Sequence, residues 1–334
     1  MEDDIEYAVK YDIIKIVYKI QSCTRSNMTA SRILTETAYA KINLALDITG
    51  RLPNGYHTVR MIMETISIHD DLTIALSSGP GIGLSCDMVS DTLAVSELSC
   101  GDDNLIVKAA HKLLEYANAR GKVPGAPDSA GLDMHLTKRI PMAAGLAGGS
   151  ADAAAALRGI NRLLDLGCSV EELCEIGVTI GADVPYCIQG GSRLAEGIGE
   201  QLSILTAPPK AHLLIAKPDI DVSTAYVYKR IDSSDDIRHP DIDGMIAALD
   251  RGDLKGLSSR LGNVLRDVTC EEHAIVPELE QFMRDNGALG ALMSGSGPTV
   301  YGIFDDEQSC RQALEKVHAA YPDIYASDAT FIIP

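Results

Sequence analysis

The segment Pro141-Met142-Ala143-Ala144-Gly145-Leu146-Ala147-Gly148-Gly149-Ser150-Ala151-Asp152 constrains this chain more than any other. Upstream of it, Leu132, Met134 and Leu136 alternate with Asp133, His135 and Thr137, the period-2 pattern of a strand that ends at Lys138-Arg139. Downstream, Ala153, Ala156, Leu157, Ile160 and Leu164 recur at helical spacing and predict a helix over 150–164. The chain must therefore pass from strand to helix through glycines and small residues. Glycine lacks Cβ, so it adopts backbone angles closed to other residues and lets another group come close. With Ser150 opening the helix, the first-turn N–H groups face outward, where the helix dipole favours an anion. The pattern is neither G-x-G-x-x-G after a first strand nor G-x-x-x-x-G-K-[ST]. The residues alone admit two accounts, a phosphate-holding loop or a tight turn that needs small side chains. A second cluster, Leu292-Met293-Ser294-Gly295-Ser296-Gly297-Pro298-Thr299, precedes a later strand. It too has two accounts: a ligand held in a cleft between two domains, or a close contact between them.

At 334 residues the chain is about twice a ~150-residue domain. The composition shifts at Ala207-Pro208-Pro209-Lys210, which predicts domains over 28–206 and 207–334. Residues 1–27 form an N-terminal extension of unknown role, in which Ile13–Ile20 reads as a short strand or helix. In the first domain Ile42, Leu44, Leu46 and Ile48 alternate with Lys41, Asn43, Ala45 and Asp47, a half-buried strand with Lys41 and Asn43 side by side on its polar face. A turn at Pro53-Asn54-Gly55 leads to strands over 59–68 and 71–76, then a helix over 105–118. Ser169 with Glu172 is a capping-box signature. The Gly181-Ala182-Asp183-Val184-Pro185 loop leads to a strand near 186–189. The second domain reads as strands at 212–216, 299–304 and 329–333 with helices near 241–249, 273–286 and 307–319. Strands and helices interleave, so the pattern admits α/β or α+β.

Charge narrows the function. Lys plus Arg number 29 against 47 Asp plus Glu, a formal net charge of -18, which argues against a nucleic-acid binder but not against a mononucleotide pocket. With no Trp and only 3 Phe, any stacking on a base falls to the 12 Tyr. The 8 Cys include no C-x-x-C pair and no zinc-like spacing, and read as scattered reduced thiols. The first residues are acidic, unlike a signal peptide, and no run of about 18 apolar residues could span a bilayer. A cytoplasmic location without membrane partners is expected, as a monomer or a homodimer.

Four motifs carry a family resemblance: A-K-I-N-L-A-L-D-I-T-G-R-L-P-N-G-Y-H at 40–57, P-M-A-A-G-L-A-G-G-S-A-D-A-A-A at 141–155, G-A-D-V-P at 181–185 and M-S-G-S-G-P-T at 293–299. In this order, over roughly 35–334, the chain resembles the GHMP kinase superfamily. Lys41-Ile42-Asn43 joined to Gly55-Tyr56-His57, with Gly181–Pro185, resembles the branch whose acceptor is a cytidine-diphosphate-linked methylerythritol. The resemblance implies an α+β, two-domain fold: an N-terminal, ATP-binding domain like domain 2 of ribosomal protein S5, and a ferredoxin-like C-terminal domain. It implies Mg²⁺-dependent transfer of the γ-phosphoryl group of ATP to the 2-hydroxyl of 4-diphosphocytidyl-2-C-methyl-D-erythritol.

By the same resemblance Asp183 accepts the hydroxyl proton and Lys41 is its cationic partner. Asn43 contacts the acceptor, while Tyr56, His57 and Tyr228 serve the cytosine. Pro141 through Ser150 hold the triphosphate, with Asn104 and Lys108 on the adenosine side. Taken alone, Asp183 is also a natural loop cap, Tyr56 a hairpin-packing residue and Tyr228 a helix-surface aromatic. Lys138 reads as the solvated end of a strand, and Asp152 and Glu196 as acidic neighbours of glycine-rich loops or as surface charge. No Walker lysine is present, so Mg²⁺ is expected on phosphates and water, with no metal ligand assigned. Ala147 and Ala151 stand where the family commonly has Gly and Ser. The alternatives are a related GHMP kinase of homoserine or mevalonate type, or a nucleotide-binding protein without catalysis. The Lys-x-Asn strand with its G-Y-H turn weighs against the first, and intact Lys41 and Asp183 against the second.

Overall fold

The alternation around Ile42 and Leu44 extends both ways into β1 (Ile33–Arg51), which turns at Pro53–Gly55 into β2 (His57–Leu76). A computed structural model describes residues 33–77, 81–89, 98–121, 131–232 and 237–332; the N-terminal extension and its Ile13–Ile20 motif lie outside them. β1 and β2 pair antiparallel along nearly their whole length, with register shifts between Tyr39 and Lys41 and between Asn43 and Ala45. The strands expected at 59–68 and 71–76 are one element. Asp70 interrupts nothing because it is fully buried as an acceptor for the backbone N–H groups of Arg139 and Ile140.

The chain continues through β3 (Ile82–Met88), α1 (Leu105–Ala119), β4 (Leu132–Lys138) and α2 (Gly148–Leu163). The predicted capping box opens α3 (Val170–Val178): Ser169 Oγ accepts from Glu172 N, and Glu172 Oε2 accepts from Ser169 N. The strand expected near 186–189 is instead a short helix, α4 (Val184–Gln189). Pro185 lies in its first turn, where the missing N–H has no helical partner to lose. β5 (Arg193–Glu196) and β6 (Gln201–Ile204) form a hairpin that joins β2 through β5.

After Lys210 come β7 (His212–Lys217), α5 (Thr224–Ile231), α6 (Ile242–Asp250), α7 (Leu254–Ser258), β8 (Gly262–Asn263), α8 (Arg266–Glu272) and α9 (Ile275–Asp285). β9 (Gly290–Met293), β10 (Val300–Phe304), α10 (Glu307–Ala320) and β11 (Tyr325–Thr330) complete it. The second sheet has the order β11-β7-β10-β9, antiparallel throughout, which is the β-α-β-β-α-β arrangement of a ferredoxin-like unit. The fold class is α+β, as the resemblance implies. The closing strand begins and ends earlier than 329–333, because Phe331 leaves β7 to bridge Ile66 of the first sheet.

Two features of this architecture position the site. The first sheet runs β3-β4-β2-β1-β8, so a two-residue strand from the later half of the chain pairs in parallel with Ala45 and Leu46 of β1. Secondly, β1 is buried on both faces between Ala40 and Leu46, not half-buried as its alternation predicts. Ile42 and Leu44 join the core with Ala153–Ala156 of α2. Those alanines let the helix lie close to the sheet, and Lys41 N donates to Leu146 O at 3.1 Å, which ties the loop before α2 to β1. Among the described residues no helix is long and apolar enough to cross a membrane.

Candidate active site

Lys41 and Asp183 reach the same place from distant elements. Lys41 Nζ donates to Asn43 Oδ1 at 2.8 Å and to Gly145 O at 3.3 Å, and stands 3.7 Å from Asp183 Oδ2. Asp183 holds the N-cap position of α4, yet its side chain makes no cap hydrogen bond. Its carboxylate, about a third exposed (30%), is left for other work, whereas Lys41 is nearly buried (6%). Arg158 of α2 holds this arrangement from behind, donating to Cys187 O of α4 at 2.8 Å and to Thr37 O of β1 at 2.9 Å. Tyr186 fastens α4 again through its OH to Gly191 O at 2.7 Å. Burial, with the Asp183 carboxylate close by, pushes the Cys187 thiol well up, so this cysteine stays protonated.

Opposite the pair lies the glycine-rich loop. Ala147 is the N-cap residue of α2 in the left-handed region at φ 57°, offers no side-chain cap, and no acidic residue occupies the first turn. The helix thus starts with unsatisfied N–H groups and an uncompensated dipole facing a cavity, the physical description of an anion site. Ala143 is left-handed as well, at φ 48°. Two alanines in a conformation that favours glycine carry strain of about 1–2 kcal/mol each, stored at the loop.

The second glycine cluster meets the first. A Cβ on Gly145 would come within 2.3 Å of Ser294 O, and Gly145 itself has φ +72°. Ser294 Oγ donates to Gly145 O at 3.0 Å, the same carbonyl that receives Lys41 Nζ. Asn263 of β8 secures the tail loop, its Nδ2 donating to Met293 O at 3.0 Å and Gly295 O at 2.7 Å. Both accounts of this cluster therefore hold: it is a backbone-to-backbone contact, and Gly295 and Ser296 also line the cavity.

Lys138 is a correction. Far from being a solvated strand end, its side chain is 3% exposed and lies between the carboxylates of Asp70 and Asp152. Asp152, expected as a neighbour of the loop or as surface charge, is buried, with Oδ2 2.7 Å from Lys138 Nζ and Oδ1 without a partner. Burial, reinforced by Asp70 sharing the same lysine, holds its carboxyl above the usual range against the pull of Lys138. Both acids thus lean on the one buried lysine, and removing its cation leaves them facing each other without a partner. Lys138→Met is expected to destabilise the fold by about 3–5 kcal/mol, read by denaturant unfolding; a loss below about 1 kcal/mol would show that the acids relax to neutral at little cost. Glu196 is exposed and 3.6 Å from Arg60.

Lys41, Asp183, Lys138, Asp152, the glycine-rich loop and Gly295–Ser296 line one cavity of about 1330 Å³. Single-ligand sites hold about 300–1,000 Å³, so this one has room for two molecules side by side. Of the anticipated residues it brings together Lys41, Asn43, Tyr56, His57, Asn104, Pro141–Gly145, Ala147–Ser150, Asp183 and Tyr228. Leu146 is buried away from it, and Lys108 is exposed on α1 outside its lining. Asn104 is the N-cap of α1, its side chain accepting from Ile106 N and donating to Ser99 O.

At the far end His57 Nε2 lies 2.6 Å from Asp232 Oδ1, and Arg51 Nη1 lies 3.1 Å from the other oxygen of that carboxylate. The rings of His57 and Tyr228 are 5.2 Å apart and tilted by 42°. Tyr228 is half-buried, while Tyr56 is 59% exposed at the turn.

Comparison with known proteins fits this geometry. The GHMP kinases N terminal domain matches residues 104–191 and the GHMP kinases C terminal domain residues 245–323. A 4-diphosphocytidyl-2-C-methyl-D-erythritol kinase of Lachnospira eligens is 44% identical over 282 residues, 84% of this chain and 92% of the relative. The chain belongs to the 4-diphosphocytidyl-2-C-methyl-D-erythritol kinase family, within the GHMP kinases. Its homologue from Clostridium novyi is 40% identical over 86% of this chain and 97% of its own. A crystal structure of 4-(cytidine 5'-diphospho)-2C-methyl-D-erythritol kinase superposes with a TM-score of 0.73 at 29% identity, covering 90% of this chain and all (100%) of that one. A further likeness is of fold alone: L. major mevalonate kinase gives a TM-score of 0.73 at 17% identity, covering 91% of this chain and 97% of its own.

Within this kinase family frame, sequence reasoning left four residues of the site unremarked. Arg158 and Asn263 act on backbone carbonyls far away in sequence, Asp70 receives the Lys138 ammonium, and Asp232 orients His57. Only Asp70 carried a signal: a charged residue inside an otherwise apolar alternation.

Proposed function

We propose that this kinase transfers the γ-phosphoryl group of ATP to the 2-hydroxyl of 4-diphosphocytidyl-2-C-methyl-D-erythritol. One observation carries the reading: a carboxylate at a helix-cap position that caps nothing, 3.7 Å from a nearly buried lysine, in the same cavity as the uncapped N-terminus of α2. Asp183 takes the hydroxyl proton as the new O–P bond forms and the bond to ADP breaks. Lys41, 3.7 Å from that carboxylate, offsets negative charge near the transferred group. The α2 N–H groups and the Gly145–Ser150 backbone hold the phosphates without a Walker lysine.

Mg²⁺ fits as an ion carried by the nucleotide. Among the described residues no group of three His, Cys, Asp or Glu could cage a metal. Mg²⁺ characteristically rests on substrate phosphates and water with one or two carboxylates, and the partnerless Oδ1 of Asp152 is the oxygen this chain would contribute. When bound, the ion neutralises charge on the β- and γ-phosphates.

The test is Mg²⁺-dependent ADP release with the cytidine compound beside homoserine, mevalonate and galactose. Turnover selective for the cytidine compound is expected; equal turnover with homoserine or mevalonate would overturn the assignment. For base recognition the half-buried Tyr228, set against His57, is the better platform, and stacking on one base is worth about 1–3 kcal/mol. Tyr228→Ala is therefore expected to raise the acceptor KM about tenfold with the ATP KM within about twofold. An unmoved acceptor KM would remove Tyr228 from the cytosine site.

A further inference from the structure

Cys86 lies on β3 beside β4, and Cys100 in the loop that leads to α1. Though 14 residues apart, they face each other, with Cys100 Sγ donating to Cys86 Sγ at 3.1 Å. A disulfide needs about 2.0 Å between sulfurs, so bond closure asks for a movement of about 1 Å. Cys100 is exposed and Cys86 only partly so, which gives one thiol that reagents reach and one sheltered thiol behind it. We propose that Cys86 and Cys100 are a reversible dithiol–disulfide site that sets the shape of the nucleoside end of the cavity.

The oxidant is a low-molecular-weight disulfide. The Cys100 thiolate attacks one of its sulfurs, forms a mixed disulfide and releases one thiolate. The Cys86 thiolate then displaces the second half, forming the Cys86–Cys100 bond. Overall the protein gives up two protons and two electrons, and one molecule of oxidant becomes two thiols. The sheltered position of Cys86 makes the second step the slow one: burial, with Cys100 adjacent, pushes its thiol up to about 12.

The link to the cavity is a short chain of bonds. Cys100 is joined to Ser99, whose carbonyl accepts from Asn104 Nδ2 at 2.7 Å and whose Oγ donates to Asp103 Oδ1 at 2.5 Å. Ser99, Asp103 and Asn104 all line the cavity. A pull on Cys100 toward β3 is thus passed to the residues that face the nucleotide, given the proposed placement of ATP.

The experiment incubates the full chain with oxidised glutathione, maps disulfides by mass spectrometry after alkylation, and measures ATP and acceptor KM. A fluorescent ATP analogue titrated into the same samples reads the nucleotide site without turnover. The expected result is a Cys86–Cys100 linked peptide, an ATP KM and analogue Kd changed by about threefold or more, an acceptor KM within about twofold, and reversal by dithiothreitol. Cys100→Ser, and separately Cys86→Ser, should abolish both the link and the change. A glutathione adduct on Cys100 with no internal link would overturn the proposal, as would a link that leaves the analogue Kd unchanged. Failure of the kinase assignment would show differently, as an intact link and shifted analogue binding without turnover on the cytidine compound.

Discussion

Asp183→Asn is expected to lower kcat by about 10²–10⁴-fold while the acceptor Kd stays within about threefold. Asparagine has the same shape and fills the same position at the start of α4. Because the native side chain makes no cap hydrogen bond, the substitution costs α4 no cap and removes only the ion pair with Lys41. The group lost is the carboxylate proposed to take the hydroxyl proton, 3.7 Å from Lys41. Steady-state turnover with calorimetric binding of the acceptor separates the two quantities. A kcat within about threefold of the parent would show that the hydroxyl proton leaves by another route.

Gly145→Ala should be nearly as damaging for a different reason. Its Cβ would lie 2.3 Å from a backbone oxygen of Ser294, which has no side chain to swing away, and φ +72° is unfavourable to alanine. The two loops must separate, and Gly145 O is the shared acceptor for Lys41 Nζ and Ser294 Oγ. A displacement of about 1 Å at a site that depends on positioning costs about 10²-fold in kcat/KM. Stability should fall by about 1–3 kcal/mol through backbone strain and overpacking. Kinetics and thermal unfolding on one preparation read both; kcat/KM within about fivefold of the parent would show that the phosphate loop works independently of the tail loop.

Local pattern made much of this molecule legible. Period-2 alternation found β1 and β4, helical spacing found α1 and α2, and Ser169 with Glu172 located the start of α3. Misreadings came where tertiary context decides. The pattern divides 59–68 from 71–76, whereas the strand runs on through Asp70, whose backbone donors lie some seventy residues away in Arg139 and Ile140. Val184–Gln189 is apolar enough for a strand, yet Pro185 in the first turn and contacts with α2 and β2 accompany a helix. Lys138 looked like a polar terminus since nothing local announces two acids from β2 and α2. The candidate site was readable wherever a motif is contiguous, and unreadable wherever it depends on residues such as Arg158, Asp232 and Asn263 that act at long range.

The two-residue strand β8 bears on how the protein is made. Until Gly262 and Asn263 arrive, the edge of β1 at Ala45 and Leu46 has no neighbour, and the tail loop has no Asn263 to fasten it. An exposed strand edge is a template for wrong pairing. During synthesis, then, the first sheet waits with the strand that carries Lys41 uncovered until more than three-quarters of the polypeptide has emerged. The last strand of that sheet and the tail loop that packs on Gly145 both come from the final quarter of the chain, so the cavity is walled in only at the end of synthesis.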